Sequence, residues 1–245
     1  MKLLFFCLAA LFASLGAFSQ EIAVQPPTYL KFTNPPFVIN GVTYVPLRET
    51  AKALNVSAEQ VLLFVFKNTI VLPDEVHGGG VTFAPARMIA EGLNQEITKS
   101  DTLLTIGEVT WEINGKLIVV DRGRQRIYAY EGLKLVYQCR TCTGKPGYTT
   151  PTGIFQTWLK SPGKFVGKFG AMFWPTFFNA SIAIHSCPSD RNVKDLPDSH
   201  GCCRVMNEAR KWFWQWIPGK VPSSVGNGGY YFIPEKDQIP VYVIP

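Results

Sequence analysis

Residues 199–204 read S-H-G-C-C-R, two adjacent cysteines between a His-Gly pair and an arginine, and His185 lies 17 residues before Cys202 at the end of the apolar run S-I-A-I-H. Cysteine is the strongest unactivated nucleophile among side chains, and its attack on an amide requires a thiolate, a base to form it and donors for the developing oxyanion. The stretch supplies each of these. Gly201 lets backbone N–H groups turn toward a carbonyl, His200 and Arg204 add positive character, and His185 is placed to return to the thiol as general base. His200 is assigned to the oxyanion side in preference to the base role. Adjacent residues on extended backbone face opposite ways, so one of Cys202 and Cys203 looks into a cleft and the other into packed interior. A histidine-assisted thiol also predicts a rate that rises through a histidine-type ionisation between about pH 5 and 8.

Two other chemistries use some of the same residues. C-R-T-C at residues 139–142 is a C-x-x-C, and Cys202, Cys203, His185 and His200 could complete a tetrahedral zinc site. Zinc sites usually pair two such knuckles, and vicinal cysteines fit a tetrahedron poorly, so neither metal nor cofactor is expected. H-G-G-G at residues 77–80 imitates a lipase oxyanion loop, yet the chain has no G-x-S-x-G nucleophile elbow and the stretch reads as a turn.

The elements that must position these groups follow from composition and periodicity. A chain of 245 residues with 47% hydrophobic and 17% charged residues has room for one large or two smaller globular domains. Lys2, an apolar run from Leu3 to Phe12 and small residues at Ala17 and Ser19 read as an export signal over residues 1–19, too short to span a bilayer. No later segment reads as a transmembrane helix. Losing the signal removes Lys2 as its only charged residue, so the net charge falls from +6 to +5. The cations are scattered and the chain is expected outside the cell, which argues against a nucleic-acid partner. Periplasm or cell wall is the expected location, and the oligomeric state is open.

G-V-T-Y-V-P-L-R-E-T-A-K-A-L-N from Gly41 recurs as G-V-T-F-A-P-A-R-M-I-A-E-G-L-N from Gly80, an offset of 39. Each copy predicts a short strand and then a helix with Pro46 or Pro85 in its first turn. Leu47, Ala51 and Leu54, and likewise Ala86, Ala90 and Leu93, form the buried stripes. V-L-L-F-V-F, N-T-I-V-L-P and T-L-L-T-I-G-E-V-T-W-E-I read as strands. The repeat ends near Asn114. Beyond it L-I-V-V-D, R-I-Y-A-Y-E-G, L-K-L-V-Y-Q-C, T-G-I-F-Q-T-W, S-I-A-I-H, Y-Y-F-I-P and P-V-Y-V-I-P predict strands, and N-E-A-R-K-W-F-W-Q-W-I predicts a helix. The expected domains are residues 28–113, a smaller α+β unit of β-β-helix repeats, and residues 116–245, a mostly β, sandwich-like domain of mixed sheets with short helices.

Two resemblances add to this reading. N-G-V-T-Y-V-P-L-R-E-T-A-K-A-L at residues 40–54 resembles the copper-amine-oxidase-like N-terminal domain of bacterial envelope proteins. With one histidine, His77, and no cysteine in the repeat, a structural or wall-docking role is expected there in place of copper binding. I-H-S-C-P-S-D-R-N-V-K-D-L-P-D-S-H-G-C-C-R-V-M-N-E-A at residues 184–209 resembles the signature of the L,D-transpeptidase (YkuD-like) catalytic domain. I-V-V-D-R-G-R-Q-R-I-Y-A-Y-E-G, T-G-K-P-G-Y-T-T-P-T-G-I-F and M-F-W-P-T-F-F-N-A-S-I-A-I-H extend that likeness in the family's order over about residues 116–245.

The second resemblance implies an acyl-enzyme on Cys202, formed from the third residue of a peptidoglycan tetrapeptide with loss of the terminal D-alanine, and transfer to an acceptor amine. It implies His185 as base, oriented by a backbone carbonyl near Ser186, the N–H groups of His200, Gly201 and Cys202 as oxyanion hole, and Arg204 as support for the site or a substrate carboxylate. Ser199, Thr150 and Gly153 are expected at the substrate. Trp158, Trp174, Phe177 and Phe178 are candidates to line the cleft. Peptidoglycan stem peptides are the expected partner. An L,D-carboxypeptidase with water as acceptor shares the acyl-enzyme, and a non-catalytic wall-binding module is the alternative outside enzymes. The chain departs from the pattern in its 13-residue spacer between His185 and Ser199, in Cys203 for the usual Ile or Val, and in Thr141-Cys142 for Val-Ser. Cys203 is therefore expected to face apolar packing, leaving Cys202 as nucleophile. Of Cys139, Cys142 and Cys187, the pair Cys142–Cys187 is the expected bridge because both flank strands leading to the cleft.

Overall fold

The computed structural model describes residues 29–245, so the expected export signal lies outside the described residues. Strands β1 (Phe37–Ile39) and β2 (Val42–Pro46) form a hairpin, and β2 runs into α1 (Leu47–Ala53), which is followed by α2 (Ala58–Val65). Strands β3 (Ile70–Pro73) and β4 (Gly80–Pro85) form a second hairpin that runs into α3 (Ala86–Gly92), and the sheet order is β1-β2-β4-β3. The central pair carries the register Tyr44↔Pro85, Val45↔Ala84 and Pro46↔Phe83. Val45 and Ala84 are equivalent positions of the repeat, so the two copies meet about a local two-fold axis between them. Pro46 and Pro85 keep extended backbone as N-caps, and each helix begins one residue later than the repeat suggested.

The run V-L-L-F-V-F, expected as a strand, lies in and just beyond α2. Ser57 accepts the Gln60 N–H and the Gln60 side chain accepts the Ser57 N–H, a capping box that nucleates the helix despite its β-prone residues. Only Val61 and Val65, four apart, are buried in it, whereas Leu63 and Phe66 are exposed. Strands β5 (Ile97–Lys99), β6 (Leu103–Ile106) and β7 (Val109–Glu112) form a three-stranded sheet whose Leu104, Ile106 and Trp111 close the core over these helices.

The rest of the chain builds two mixed sheets. The first orders β10-β9-β8-β18-β11 from β8 (Lys116–Asp121), β9 (Arg126–Glu131), β10 (Lys134–Arg140), β11 (Gly153–Gln156) and β18 (Pro240–Ile244), with β8 and β18 parallel. The second orders β16-β15-β14-β12-β17 from β12 (Leu159–Lys160), β14 (Gly170–Asn179), β15 (Ile182–Ser186), β16 (Cys203–Val205) and β17 (Tyr231–Phe232), with β13 (Lys164–Gly167) paired to β14 and α4 (Asn207–Trp216) packed behind. The chain is mostly β.

Alternation along the first sheet explains the layering. Ile118, Val120, Ile127, Ala129, Val241 and Val243 face the second sheet and α4, while Leu117, Val119, Tyr128, Tyr130, Tyr242 and Ile244 face the repeat unit, meeting Phe37, Leu72 and Phe83. Strands buried on both faces read as continuous apolar runs, as L-I-V-V-D and V-Y-V-I do. Among the described residues no helix is long and apolar enough to cross a membrane.

Candidate active site

Register places the candidate reactive groups. β15 and β16 run parallel with Ile184↔Cys203, His185↔Arg204 and Ser186↔Val205. Because side chains alternate along a strand, Ile184 and Cys203 point together into the core between the sheets, where both are buried. The opposite face then receives His185 and Arg204, with Cys202 two residues before Arg204 and hence on the same side. All three line one cavity of about 460 Å³, which is also lined by Met172, Phe177, Ser199, His200 and residues 167–170 of the turn joining β13 to β14.

The S-H-G-C loop is pinned from two directions. The Ser199 hydroxyl donates to the Cys202 carbonyl at 2.6 Å and accepts the Gly201 N–H at 3.1 Å. Thr150, fully buried, donates its hydroxyl to the Gly201 carbonyl at 2.6 Å and accepts the Gly144 N–H at 2.9 Å. The Thr143 carbonyl accepts the N–H groups of Asp198 and Ser199. Gly201 has φ +111°, a left-handed conformation that a side chain would strain. The His200 ring stacks on Phe169 with centroids 4.4 Å apart and meets the Tyr148 ring edge-on.

Burial sets the protonation states. His185 is 4% exposed, and desolvation carries its pKa down to about 4, aided by the Arg204 charge and partly opposed by its bond to Ser186. Its Nδ1 lies 2.9 Å from the Ser186 carbonyl, an acceptor only, so Nδ1 carries the proton and Nε2 is left as the basic atom. Burial also raises the Cys202 thiol, against smaller lowering effects from the Ala183 N–H and Arg204. The site therefore rests as neutral thiol and neutral imidazole. The Cys202 Sγ contacts the Ser181 carbonyl at 3.7 Å and the Met172 Sδ at 3.9 Å.

Several expected positions lie elsewhere. The Gly201 N–H is already used by Ser199 and is not free for an oxyanion. Thr150 holds the loop from behind, and Gly153 sits in β11 against the Pro73 carbonyl and the Phe155 ring; neither lines the cavity. Trp174 has φ +53° at an irregularity of β14 that turns its ring away from the cavity to the opposite side. There it meets Trp214 edge-on at 4.9 Å and borders a second cavity of about 620 Å³ beside Lys160. Phe178 belongs to the core between the sheets, and Trp158 packs on Phe177 and Phe232. Arg204 lines the cavity and donates to the Asp198 carbonyl at 3.2 Å.

The expected Cys142–Cys187 bridge is not formed, since Cys139, Cys142, Cys187, Cys202 and Cys203 are all free thiols. The C-x-x-C pair is divided between β10, where burial pushes Cys139 up to about 12, and a bridge to Arg204, where Cys142 is fully buried. No group of three His, Cys, Asp or Glu among the described residues is arranged to hold a metal ion. Residues that the sequence reading missed are Met172 and Phe169 in the cavity and Asn207 and Asp190 behind it. Their signal was weak, because the β13–β14 hairpin, a long connection and a helix start place them.

The family model described as the L,D-transpeptidase catalytic domain, YkuD, matches residues 115–243. Among curated proteins none matches. An L,D-transpeptidase structure from Xylanimonas cellulosilytica is 18% identical, with 89% of this chain and 100% of that chain covered and a TM-score of 0.43. One from Stackebrandtia nassauensis is 17% identical, with 66% and 68% covered and a TM-score of 0.41. One from Mycobacterium tuberculosis is 13% identical, with 89% and 95% covered and a TM-score of 0.41.

Proposed function

The chain belongs to the YkuD family of L,D-transpeptidase catalytic domains, and on that premise we propose that it is an exported enzyme of the cell wall that transfers peptidoglycan stem peptides through a thioester on Cys202. The observation that carries this reading is the parallel β15–β16 register, which puts His185 and Cys202 on the same cavity while Cys203 is buried behind them.

In the first step the Cys202 Sγ attacks the carbonyl carbon of the third stem residue as its proton passes to His185 Nε2. The C–N bond to the terminal D-alanine breaks, and the same proton leaves with the amine. In the second step an acceptor amine attacks the thioester, gives its proton to Nε2, and the sulfur leaves as a thiolate that recovers the proton. With the Gly201 N–H occupied, the N–H groups of His200 and Cys202 are the oxyanion donors. Arg204, Lys168 and two histidines line the cavity and no carboxylate does, which suits a stem peptide carrying free carboxylates. The repeat unit, residues 28–113, is read as a structural and wall-facing unit.

The test is incubation of the mature protein with muropeptides and identification of adduct and products by mass. Wild type and Cys203→Ala should form the adduct and Cys202→Ala should not; the reverse result would overturn the assignment. A cross-linked product identifies transfer to an amine, and a shortened stem identifies hydrolysis by water, the carboxypeptidase reaction.

A further inference from the structure

Building on the proposed His185–Cys202 pairing, we propose that Asn207, held by Asp190, is a positioning residue that fixes the tautomer and aim of the His185 ring through Ser186. The His185 Nδ1–H donates to the Ser186 carbonyl at 2.9 Å. Ser186 is the last residue of β15, so regular strand pairing ends with the residue whose carbonyl orients the ring. Its side chain supplies the missing restraint: the buried Ser186 hydroxyl donates to Asn207 Oδ1 at 2.9 Å. Asn207 is held in turn, its Nδ2 donating at 3.1 Å and its backbone N–H at 2.9 Å to Asp190 Oδ1.

Each group in this chain is oriented by its donor and acceptor chemistry. The Asp190 carboxylate only accepts, so the amide group of Asn207 must present Nδ2 to it and Oδ1 to Ser186. With Oδ1 accepting, the serine hydroxyl is committed as donor. Asn207 is the first residue of α4, and a carboxylate beside that helix terminus is favoured by the helix dipole. Asp190 opens the short 3-10 turn Asp190–Asn192 in the connection between His185 and the S-H-G-C loop. The contact thus ties the segment after the base to the helix after the nucleophile, setting both sides of the reacting pair with one amide. None of Ser186, Asn207 and Asp190 lines the cavity.

The experiment compares Asn207→Ala, Ser186→Ala and Ser186→Thr in the mature full chain. The imidazole tautomer is read by long-range ¹H–¹⁵N NMR, which needs no substrate and therefore stands apart from the peptidoglycan reading. Thioester formation from muropeptide donor and adduct formation with a small thiol-reactive probe are each read as maximal rate and half-saturation separately. Ser186→Ala and Asn207→Ala should show a second population protonated at Nε2 and a maximal rate lower by about tenfold or more, with half-saturation unchanged. Ser186→Thr, which keeps the hydroxyl, should recover the single Nδ1–H tautomer and most of the rate. Should Asn207→Ala not fold, Ser186→Ala carries the same comparison. A folded Ser186→Ala protein with the wild-type tautomer and rate would overturn the proposal.

Discussion

At the scale of the residue, burial decides how the proposed Cys202–His185 pair would reach its reactive state. An imidazole held at about 4 does not titrate across neutral pH, and a thiol raised by burial is not a preformed thiolate. In the proposed mechanism the competent form is therefore neutral at both groups, and the proton would move only as the carbon–sulfur bond forms. The rise between pH 5 and 8 that residue types alone suggest should therefore be absent. Thioester formation measured against pH is expected to be level from about pH 5 to 8 and to fall as pH drops through about 4, where His185 takes a proton. A rise with a midpoint near pH 6.5 would mean that the ring is solvated. The same shift couples to folding. A histidine whose folded pKa lies below its unfolded value contributes stability that is fully present above the unfolded pKa and is lost as pH falls through the folded one. The loss should run from about pH 6.5 to 4 and amount to roughly 3 kcal/mol. Melting of wild type and His185→Gln across that range reads it, because the substitution removes the titration and should flatten the acid limb.

At the scale of the element, the catalytic loop owes its shape to a segment that contributes no reactive group. Thr150 satisfies both the Gly144 N–H and the Gly201 carbonyl from a fully buried position. Thr150→Val keeps the volume and orphans both backbone groups, at about 1–3 kcal/mol each. The expected outcome is a folding stability lowered by that amount, seen as a lower melting temperature, and slower thioester formation, with Thr150→Ser restoring both. Unchanged stability in Thr150→Val would show that the loop holds itself. Thr150 was legible in sequence as part of T-G-K-P-G-Y-T-T-P-T-G-I-F, but its task was not, because a buried hydroxyl bonding backbone leaves no pattern distinct from one that touches substrate. The strands of the first sheet, the duplicated strand-helix units and α4 were legible from periodicity and glycine turns. α2 was misread because V-L-L-F-V-F is rich in β-prone residues while its start is set by the Ser57–Gln60 box. Trp174 was misplaced for a related reason: a left-handed residue within β14 interrupts the alternation by which a strand's two faces are assigned.

At the scale of the whole molecule, the repeat unit and the catalytic sheets share a core. One entire face of the first sheet, including Leu117, Val119, Tyr128, Tyr130, Tyr242 and Ile244, is covered by Phe37, Leu72, Phe83 and their neighbours. The covering is also polar in places: the Tyr242 hydroxyl donates to the Pro35 carbonyl at 3.1 Å, the Tyr130 hydroxyl donates to the Val38 carbonyl, and the Glu75 N–H donates to the Ile154 carbonyl at 3.2 Å. Every residue proposed for acyl transfer lies after Asn114, so sequence alone suggests that residues 116–245 would react in isolation. Packing leads to the opposite expectation. Cutting the chain there exposes a contiguous apolar face of the kind that drives association or loss of fixed structure. The fragment of residues 116–245 should lack a cooperative melt and form no adduct, whereas the mature chain should melt cooperatively and form the adduct. A fragment that melts cooperatively and forms the thioester at the full-length rate would show the repeat to be dispensable. Phe83→Ala in the full chain separates support from chemistry. It removes a fully buried ring from the shared core, at about 3–5 kcal/mol, while the cavity lies on the second sheet, beyond the intervening layer. The folded fraction of that variant should therefore carry the wild-type rate. A rate that falls with the fold intact would show that the covering layer also sets the geometry of Cys202 and His185 through the sheet between them.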